Sequence, residues 1–299
     1  MKNLVVIVGP TAIGKTALAI EVARHFNTEI LSCDSRQFYR ELNIGVARPS
    51  LDELAAAPHH FIANRSVETP YNAYQYEQEA LAKLDVLFQT HDVAVAVGGS
   101  GLYVDALCQG IALLPDPSPE LRQRLSLQLR EEGIEPLQHQ LQKLDPEYYA
   151  VVDRNNPARL QRALETILTA GRPYSELMRQ ESHPRPFHIV KVGLRCEREE
   201  LRQRIDTRVD QMMADGLLDE VRTLLPLRHL NTLNTVGYRE LFPVLEQIDN
   251  LPTAVAAIKL NTWHYAKKQI TWLKRYKEII WEDRKNNSHL LQVLDNRLY

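Results

Sequence analysis

The sequence predicts an α/β fold: a parallel sheet flanked by helices, interrupted by an all-helical insertion. Three observations carry this. Short apolar runs alternate with amphipathic ones through the N-terminal third. A glycine-containing turn links the first apolar run to the first helix-like run. After the proline cluster Pro115-Asp116-Pro117-Ser118-Pro119 the composition shifts to Leu, Gln, Arg and Glu.

The elements follow in order. Leu4 to Val8 is continuously apolar, as expected of a strand covered on both faces. Thr16 to His25 has helix-forming composition with Leu18, Val22 and Ala23 as its apolar positions. Glu29 to Cys33 is a second short strand, ending in Asp34. Residues 73–90 place Ala80, Leu81, Leu84 and Leu87 on one side of a helix. Asp92 to Val97 is a third strand that runs into Gly98-Gly99-Ser100-Gly101. Ligand groups gather at the carboxyl ends of parallel strands, so the loops at Gly9, Asp34 and Gly98 should line one pocket. Residues 115–183 are an expected helical insertion between two pieces, 1–114 and 184–299, of one α/β core. His188 to Leu194 resumes the sheet, 197–275 is helical, and Ile279-Ile280-Trp281 leads to a last strand and a short helix.

Bulk properties narrow the class. A hydrophobic content of 44% with 25% charged residues excludes a disordered chain. No apolar run reaches the length of a membrane span, and no secretory leader is evident, so no membrane association is expected. Cys33, Cys108 and Cys196 show no C-x-x-C spacing, which argues against a disulfide framework or zinc ribbon and for a cytoplasmic setting. A net charge of −2 excludes indiscriminate nucleic-acid coating but leaves room for a local basic surface. A monomer is the default expectation.

Gly9-Pro10-Thr11-Ala12-Ile13-Gly14-Lys15-Thr16 matches G-x-x-x-x-G-K-[ST] in its required strand–turn–helix context, which makes the core P-loop-type. Such a turn lets backbone N–H groups converge on phosphate oxygens, and the helix N-terminus adds partial positive charge. Lys15 brings a point charge, and the Thr16 hydroxyl can hold magnesium. The loop does not say which phosphate compound binds.

Other features admit more than one reading. Asp34 at a strand end can hold magnesium through water, act as a general base, or cap the next helix. The glycines of Gly98-Gly99-Ser100-Gly101-Leu102-Tyr103 allow close approach of a ligand or serve helix–strand packing. Arg198, Arg202, Arg204 and Arg208 are interleaved with acidic residues, and a solvated charged face is the plainer reading, although Arg204 and Arg208 share a helical side. Trp263 to Lys277 mixes five Lys and Arg residues with aromatics and no acid, which suits either a surface helix or a phosphate backbone. The pair His59-His60 has no third ligand at metal-like spacing and is read as structural.

Taken together these residues resemble the tRNA dimethylallyltransferases, or tRNA isopentenyltransferases. The ordered set is Gly9 to Thr16, Asp34-Ser35-Arg36-Gln37-x-Tyr39, Gly45-x-Ala47-x-Pro49, His59-His60-Phe61 and Gly98 to Tyr103. It continues with Asn156-Pro157-x-Arg159-x-x-Arg162-Ala163-Leu164-Glu165, Arg204-Ile205-x-x-Arg208-Val209, Gly237-Tyr238-Arg239-Glu240 and Gln269-x-Thr271-Trp272. The resemblance implies transfer of a dimethylallyl group from dimethylallyl diphosphate to N6 of the adenine just 3′ of a tRNA anticodon. By resemblance, Asp34 is the base, Arg208 binds diphosphate, and Thr11 and Ser100 contact substrate near the reacting centre. Asp34, Ser35, Arg36, Gln37, Ser100, Arg122, residues 158–162 with Arg159 and Arg162, and residues 234–239 with Gly237, Tyr238 and Arg239 would face the tRNA anticodon stem-loop. Magnesium at Thr16 is the implied cofactor.

Four departures from the family pattern stand out: Val46 where Thr is frequent, Arg48 for Lys, Ser100 for Thr, and Asn234 where some members carry Arg. No cysteine pair follows Trp281, so the likeness is to bacterial members, which lack the eukaryotic zinc finger. An ATP-using small-molecule or nucleoside kinase shares the loop and core, and is the alternative enzyme. A nucleotide-gated RNA-binding module is the non-enzyme alternative.

Overall fold

In a computed structural model, residues 1–179, 184–285 and 289–298 are described. The chain divides into two compact units, Met1–Cys108 joined with Arg185 onward, and Gln109–Pro184. The division falls at Gln109, ahead of the proline cluster, and residues 180–183 of the expected insertion lie outside the described residues.

The first unit begins β1 (Asn3–Val8), α1 (Lys15–His25), β2 (Ile30–Ser32), α2 (Leu51–Ala56), β3 (His59–His60), α3 (Ala73–Leu87), β4 (Val93–Gly98) and α4 (Gly101–Gln109). The helical unit holds α5 (Pro119–Glu132), α6 (Glu135–Leu144), α7 (Pro146–Val151), α8 (Pro157–Ala170) and α9 (Tyr174–Met178). The first unit resumes with β5 (His188–Arg195), α10 (Arg198–Ala214), α11 (Leu217–Leu224), α12 (Tyr238–Leu245), α13 (Leu251–Leu273), β6 (Ile279–Asp283) and α14 (Leu290–Leu298). Helices α2 and α4 and strand β3 were not anticipated. A two-residue strand has no periodicity to detect, and α4 starts inside a glycine run that marks a turn.

The sheet is six-stranded and parallel, in the order β3-β2-β4-β1-β5-β6. Its central strands are wholly buried because both faces carry helices. The pleat sorts their side chains. Val5 and Ile7 of β1, with Val95 and Val97 of β4, face Leu18 and Val22 of α1 and Trp263 and Ala266 of α13. Leu4, Val6 and Val8, with Ala94 and Ala96, face Tyr76, Ala80 and Leu84 of α3 and Val104 and Leu107 of α4. Each fully buried Val or Leu contributes about 1.5–3 kcal/mol. A third cluster joins α10 to α13 with the 39–67 segment through Tyr39, Leu42, Val209, Leu217, Tyr238 and Ile258.

The helical unit has its own core of Leu125, Leu137, Leu141, Leu160, Leu164 and Ile167. Its helix starts are written in the sequence. Ser118, Asp145 and Asn156 each cap a helix whose first residue is proline, whose missing N–H costs the helix nothing. Asp145 does more: fully buried, it accepts from Tyr148 N–H at 2.9 Å and from Ser175 N–H at 2.7 Å, tying α7 to α9.

Candidate active site

The turn between β1 and α1 is locked by backbone geometry and by side chains reaching in from distant elements. Gly14 adopts φ +105 and Ala12 φ +64. The left-handed region suits glycine and costs an alanine about 1–2 kcal/mol. Arg204 Nε donates to the Ala12 carbonyl at 2.7 Å, and Arg284 Nε to the Ile13 carbonyl at 3.3 Å. Thr11 N–H donates to Gln269 Oε1 at 2.8 Å, and Lys15 Nζ donates to the Pro10 carbonyl at 2.8 Å. Solvent reaches Lys15 along the cavity, yet protein surrounds its ammonium. Burial pushes its pKa down to about 8, opposed by Asp34 and reinforced by Arg208. Free Lys15 is therefore an under-solvated cation that gains from an arriving anion.

The α10 arginines divide by helical face. Arg204 is on the loop, and Arg208 Nη1 donates to Thr11 Oγ1 at 3.3 Å. Arg198 and Arg202 instead lie over the Trp263 ring, and Arg202 pairs with Asp206 at 3.6 Å. The solvated-face reading thus fails for Arg204 and Arg208, which point at the phosphate loop.

Loops at the carboxyl ends of β1, β2 and β4 line one cavity, as expected from the three strand ends. Its phosphate end is lined by Gly14, Lys15, Thr16, Ser32, Gly98 and Arg208. A second compartment is lined by Ser35, Arg36, Val209, Met212, Gly237 and Arg239. Thr11, Asp34, Val46, Ala47, Arg208 and Tyr265 line both, so the two form one continuous space with Asp34 at the junction.

Asp34 is not a helix cap. The residues after it form a turn, and its Oδ1 accepts the Arg36 N–H at 2.9 Å. Its other oxygen has no hydrogen bond among the described residues. Ser100 Oγ accepts the Ser35 N–H at 3.0 Å and donates to Ser35 Oγ at 3.1 Å, joining the glycine turn to the Asp34 loop. Arg36 donates to the Thr232 carbonyl at 3.0 Å. Gln37 Nε2 donates to the Ala47 carbonyl at 3.0 Å and so braces the wall opposite Asp34.

Of the residues expected to face tRNA, Gly237 and Arg239 line the second compartment, and Asn234 lies beside them. Tyr238 does not. It is fully buried, its hydroxyl donates to Glu220 at 2.5 Å, and its ring fills the space a Cβ at Gly45 would take. Glu220 also accepts the N–H groups of Ile44 and Gly45, so Tyr238 is part of the clamp that holds the Val46–Ala47 wall. Arg48, the departure from Lys, donates to the Arg40 and Leu42 carbonyls and steadies the same segment. Within the helical unit, Arg122 and Arg162 converge on the buried Glu165 at 3.8 and 3.9 Å, while Arg159 is exposed.

His60 pairs with Glu29, and His59 Nδ1 lies 2.7 Å from the Ala57 carbonyl while its ring lines the phosphate end of the cavity. Along Trp263–Lys277 the aromatic face packs inward, and the Lys side chains are exposed.

Two residues of that helix enter the cavity unforeseen. Tyr265 lies near Ser100 and Gln269, and burial, with Asp34 nearby, raises its pKa to about 12. Although 40% of its surface is exposed, its hydroxyl is the deep end. Gln269 is buried at the phosphate loop. Their i, i+4 spacing was visible and Gln269 stood in the Gln269-x-Thr271-Trp272 motif, but nothing local said that this face turns toward the ligand.

A family model described as IPP transferase matches residues 37–276. The tRNA dimethylallyltransferase of Christiangramia forsetii is 47% identical to this chain, covering 99% of it and 98% of its own length. The tRNA dimethylallyltransferase 1 of Bacteroides thetaiotaomicron is also 47% identical, with coverage of 98% and 96%. Among solved structures, the full-length tRNA isopentenylpyrophosphate transferase of Bacillus halodurans matches with a TM-score of 0.74 and 31% identity, covering 100% of this chain and 97% of that one. A eukaryotic dimethylallyltransferase acting on tRNA shares the fold, with a TM-score of 0.81 at 24% identity over 99% of this chain and 77% of its own.

Proposed function

The chain belongs to the IPP transferase family of tRNA dimethylallyltransferases, and from that premise we propose how it transfers a dimethylallyl group to tRNA. The donor is dimethylallyl diphosphate, the acceptor is N6 of the adenine 3′-adjacent to the anticodon, and diphosphate is released. The observation that carries this reading is the continuous cavity, with Lys15 and Arg208 at one end and Asp34 at the junction.

An exocyclic amine is a weak nucleophile because its lone pair is delocalised into the ring. A C–N bond forms to the allylic carbon, the allylic C–O bond breaks, and the C–O electron pair leaves with diphosphate. The N6 proton passes to the Asp34 oxygen that takes no hydrogen bond among the described residues, a role worth roughly 10²–10⁴-fold. Lys15, the loop N–H groups and Arg208 meet the charge that grows on diphosphate. Thr11 and Ser100 flank the reacting centre, and Ser100 holds Ser35 and with it the Asp34 loop.

Magnesium is the proposed cofactor. Among the described residues no three His, Cys, Asp or Glu side chains cluster to hold a metal. Thr16 at the phosphate end suits an ion that takes most of its ligands from phosphate oxygens and water. Bound there, magnesium supplies positive charge to the leaving group.

The adenine must leave its stack, which costs less from a single-stranded loop than from a duplex. Arg36, Gly237 and Arg239 line the compartment that would receive it, and Arg122, Arg159 and Arg162 suit phosphate contacts to the stem-loop. A monomer is the proposed state. The three cysteines are free, in keeping with the cytoplasm.

The test is to incubate the protein with magnesium, radiolabelled dimethylallyl diphosphate and unmodified tRNA carrying that adenine. Label should appear in the tRNA and vanish when the metal is chelated. No label in the tRNA refutes the transfer, and phosphoryl transfer from γ-labelled ATP to a nucleoside would replace it with the kinase reading.

A further inference from the structure

We propose that Gln269 is a positioning residue for the transfer: its carboxamide ties the phosphate loop to the Gly98–Gly101 turn and so sets the diphosphate grip relative to Ser100 and Asp34. This rests on the proposed function above. Gln269 is 6% exposed. Its Oε1 accepts the Thr11 N–H at 2.8 Å, and its Nε2 donates to the Gly99 carbonyl at 2.9 Å. The amide orientation is forced, because a backbone N–H only donates and a carbonyl only accepts.

Both partners belong to the site. Thr11 Oγ1 receives Arg208, and Gly99 precedes Ser100, which holds Ser35. The tie therefore completes a linked path from Arg208 through Thr11, Gln269, Gly99 and Ser100 to the Asp34 loop.

The surroundings are shaped to fit this side chain. A Cβ at Gly99 would sit 2.2 Å from Gln269 Nε2, so a side chain there would push the carboxamide out of its place. A Cβ at Gly101 would sit 2.4 Å from the Trp272 ring, one turn further along α13. Asp105 of α4 then fastens the end of that helix. It accepts from Trp272 Nε1 at 3.1 Å and from Arg275 at 3.0 Å, and also from the Tyr276 hydroxyl. Three contacts on one carboxylate hold α13 against the glycine turn, and Gln269 is the point at which α13 reaches across to the phosphate loop.

A misplacement of about 1 Å between reacting groups can cost about 10²-fold in rate. Gln269→Ala should thus lower kcat about 100-fold, while KM for tRNA and the affinity for magnesium diphosphate change less than fivefold. Gln269→Glu separates positioning from mere packing. As a carboxylate it still accepts from Thr11 but repels the Gly99 carbonyl and the diphosphate. Once protonated it donates to Gly99 and restores the tie.

The experiment measures kcat, and calorimetric affinity for magnesium diphosphate, for wild type and Gln269→Glu from pH 6 to pH 8.5. The variant-to-wild-type ratio of each should rise at least tenfold toward pH 6, with the Ala variant showing no such rise. Ratios that are flat with pH overturn the proposal. So does a Gln269→Ala enzyme whose kcat matches wild type, whatever its thermal midpoint. If wild type labels no tRNA, the function falls, and the diphosphate-affinity ratio still decides whether the tie operates.

Discussion

Because burial holds the free Lys15 ammonium near pKa 8, diphosphate binding should weaken steeply above that pH. The perturbation is pH itself. In the free protein Lys15 loses its proton as pH rises through about 8. With diphosphate bound, the anion restores the proton's affinity, so binding above pH 8 takes up one proton. The dissociation constant then rises about tenfold per pH unit, since one pKa unit is about 1.4 kcal/mol. From pH 7 to 9.5 the expected loss is about 30-fold. Isothermal titration of magnesium diphosphate measures it, with Lys15→Arg as the reference, because arginine keeps its charge throughout this range. The ligand's own titration is common to both proteins and cancels in the ratio of their constants. A ratio that stays constant from pH 7 to 9.5 refutes the claim that Lys15 is the under-solvated cation of the loop.

Asp34→Asn keeps the acceptor that closes the Arg36 turn, so it should lower single-turnover transfer about 10²–10⁴-fold with diphosphate affinity little changed; loss of affinity instead would make Asp34 a metal or structural residue. Tyr238→Phe removes the hydroxyl from Glu220 and should cost about 1 kcal/mol in urea unfolding with an unchanged KM for tRNA, whereas a raised KM with unchanged stability would return Tyr238 to the tRNA surface. Gly99→Ala places a methyl on Gln269 Nε2 and should destabilise by about 1–3 kcal/mol and depress kcat, as followed by thermal melts and label transfer.

Much of the fold was legible because its signals are local. Runs such as LVVIV and VAVAV can be little else than strands covered on both faces. Residues 115–183 read as helical, and within them caps before proline set the helix starts at Ser118, Asp145 and Asn156. The glycines at 9 and 14 mark the phosphate loop wherever they follow a strand. What escaped was short or hidden by a stronger signal: β3 has two residues, and α4 begins in a glycine run.

The site was legible in part. Gly9 to Thr16 declares itself, because a phosphate loop has a fixed local grammar, whereas Asp34 at a strand end left three roles open. The arginines of α10 did not declare themselves. Every residue of that helix lies among charges, and only docking against the loop separates Arg204 and Arg208 from Arg198 and Arg202. Tyr238 misled for the opposite reason: it sits in a motif beside Gly237 and Arg239, yet its ring belongs to the core.

By itself, then, the sequence determined a P-loop core, a helical insertion, an anion-binding turn and a carboxylate at the next strand end. It also carried enough ordered motifs to point to one enzyme family. Only the tertiary structure decided that α13, read as either a surface helix or a phosphate-backbone binder, sends Tyr265 and Gln269 into the cavity. Only it revealed that Thr11 and Gly99 are joined through a residue far along the chain. The reason is physical. A turn or a cap is set by neighbours in sequence, but a buried hydrogen bond between distant loops exists only once the sheet has brought their strand ends together.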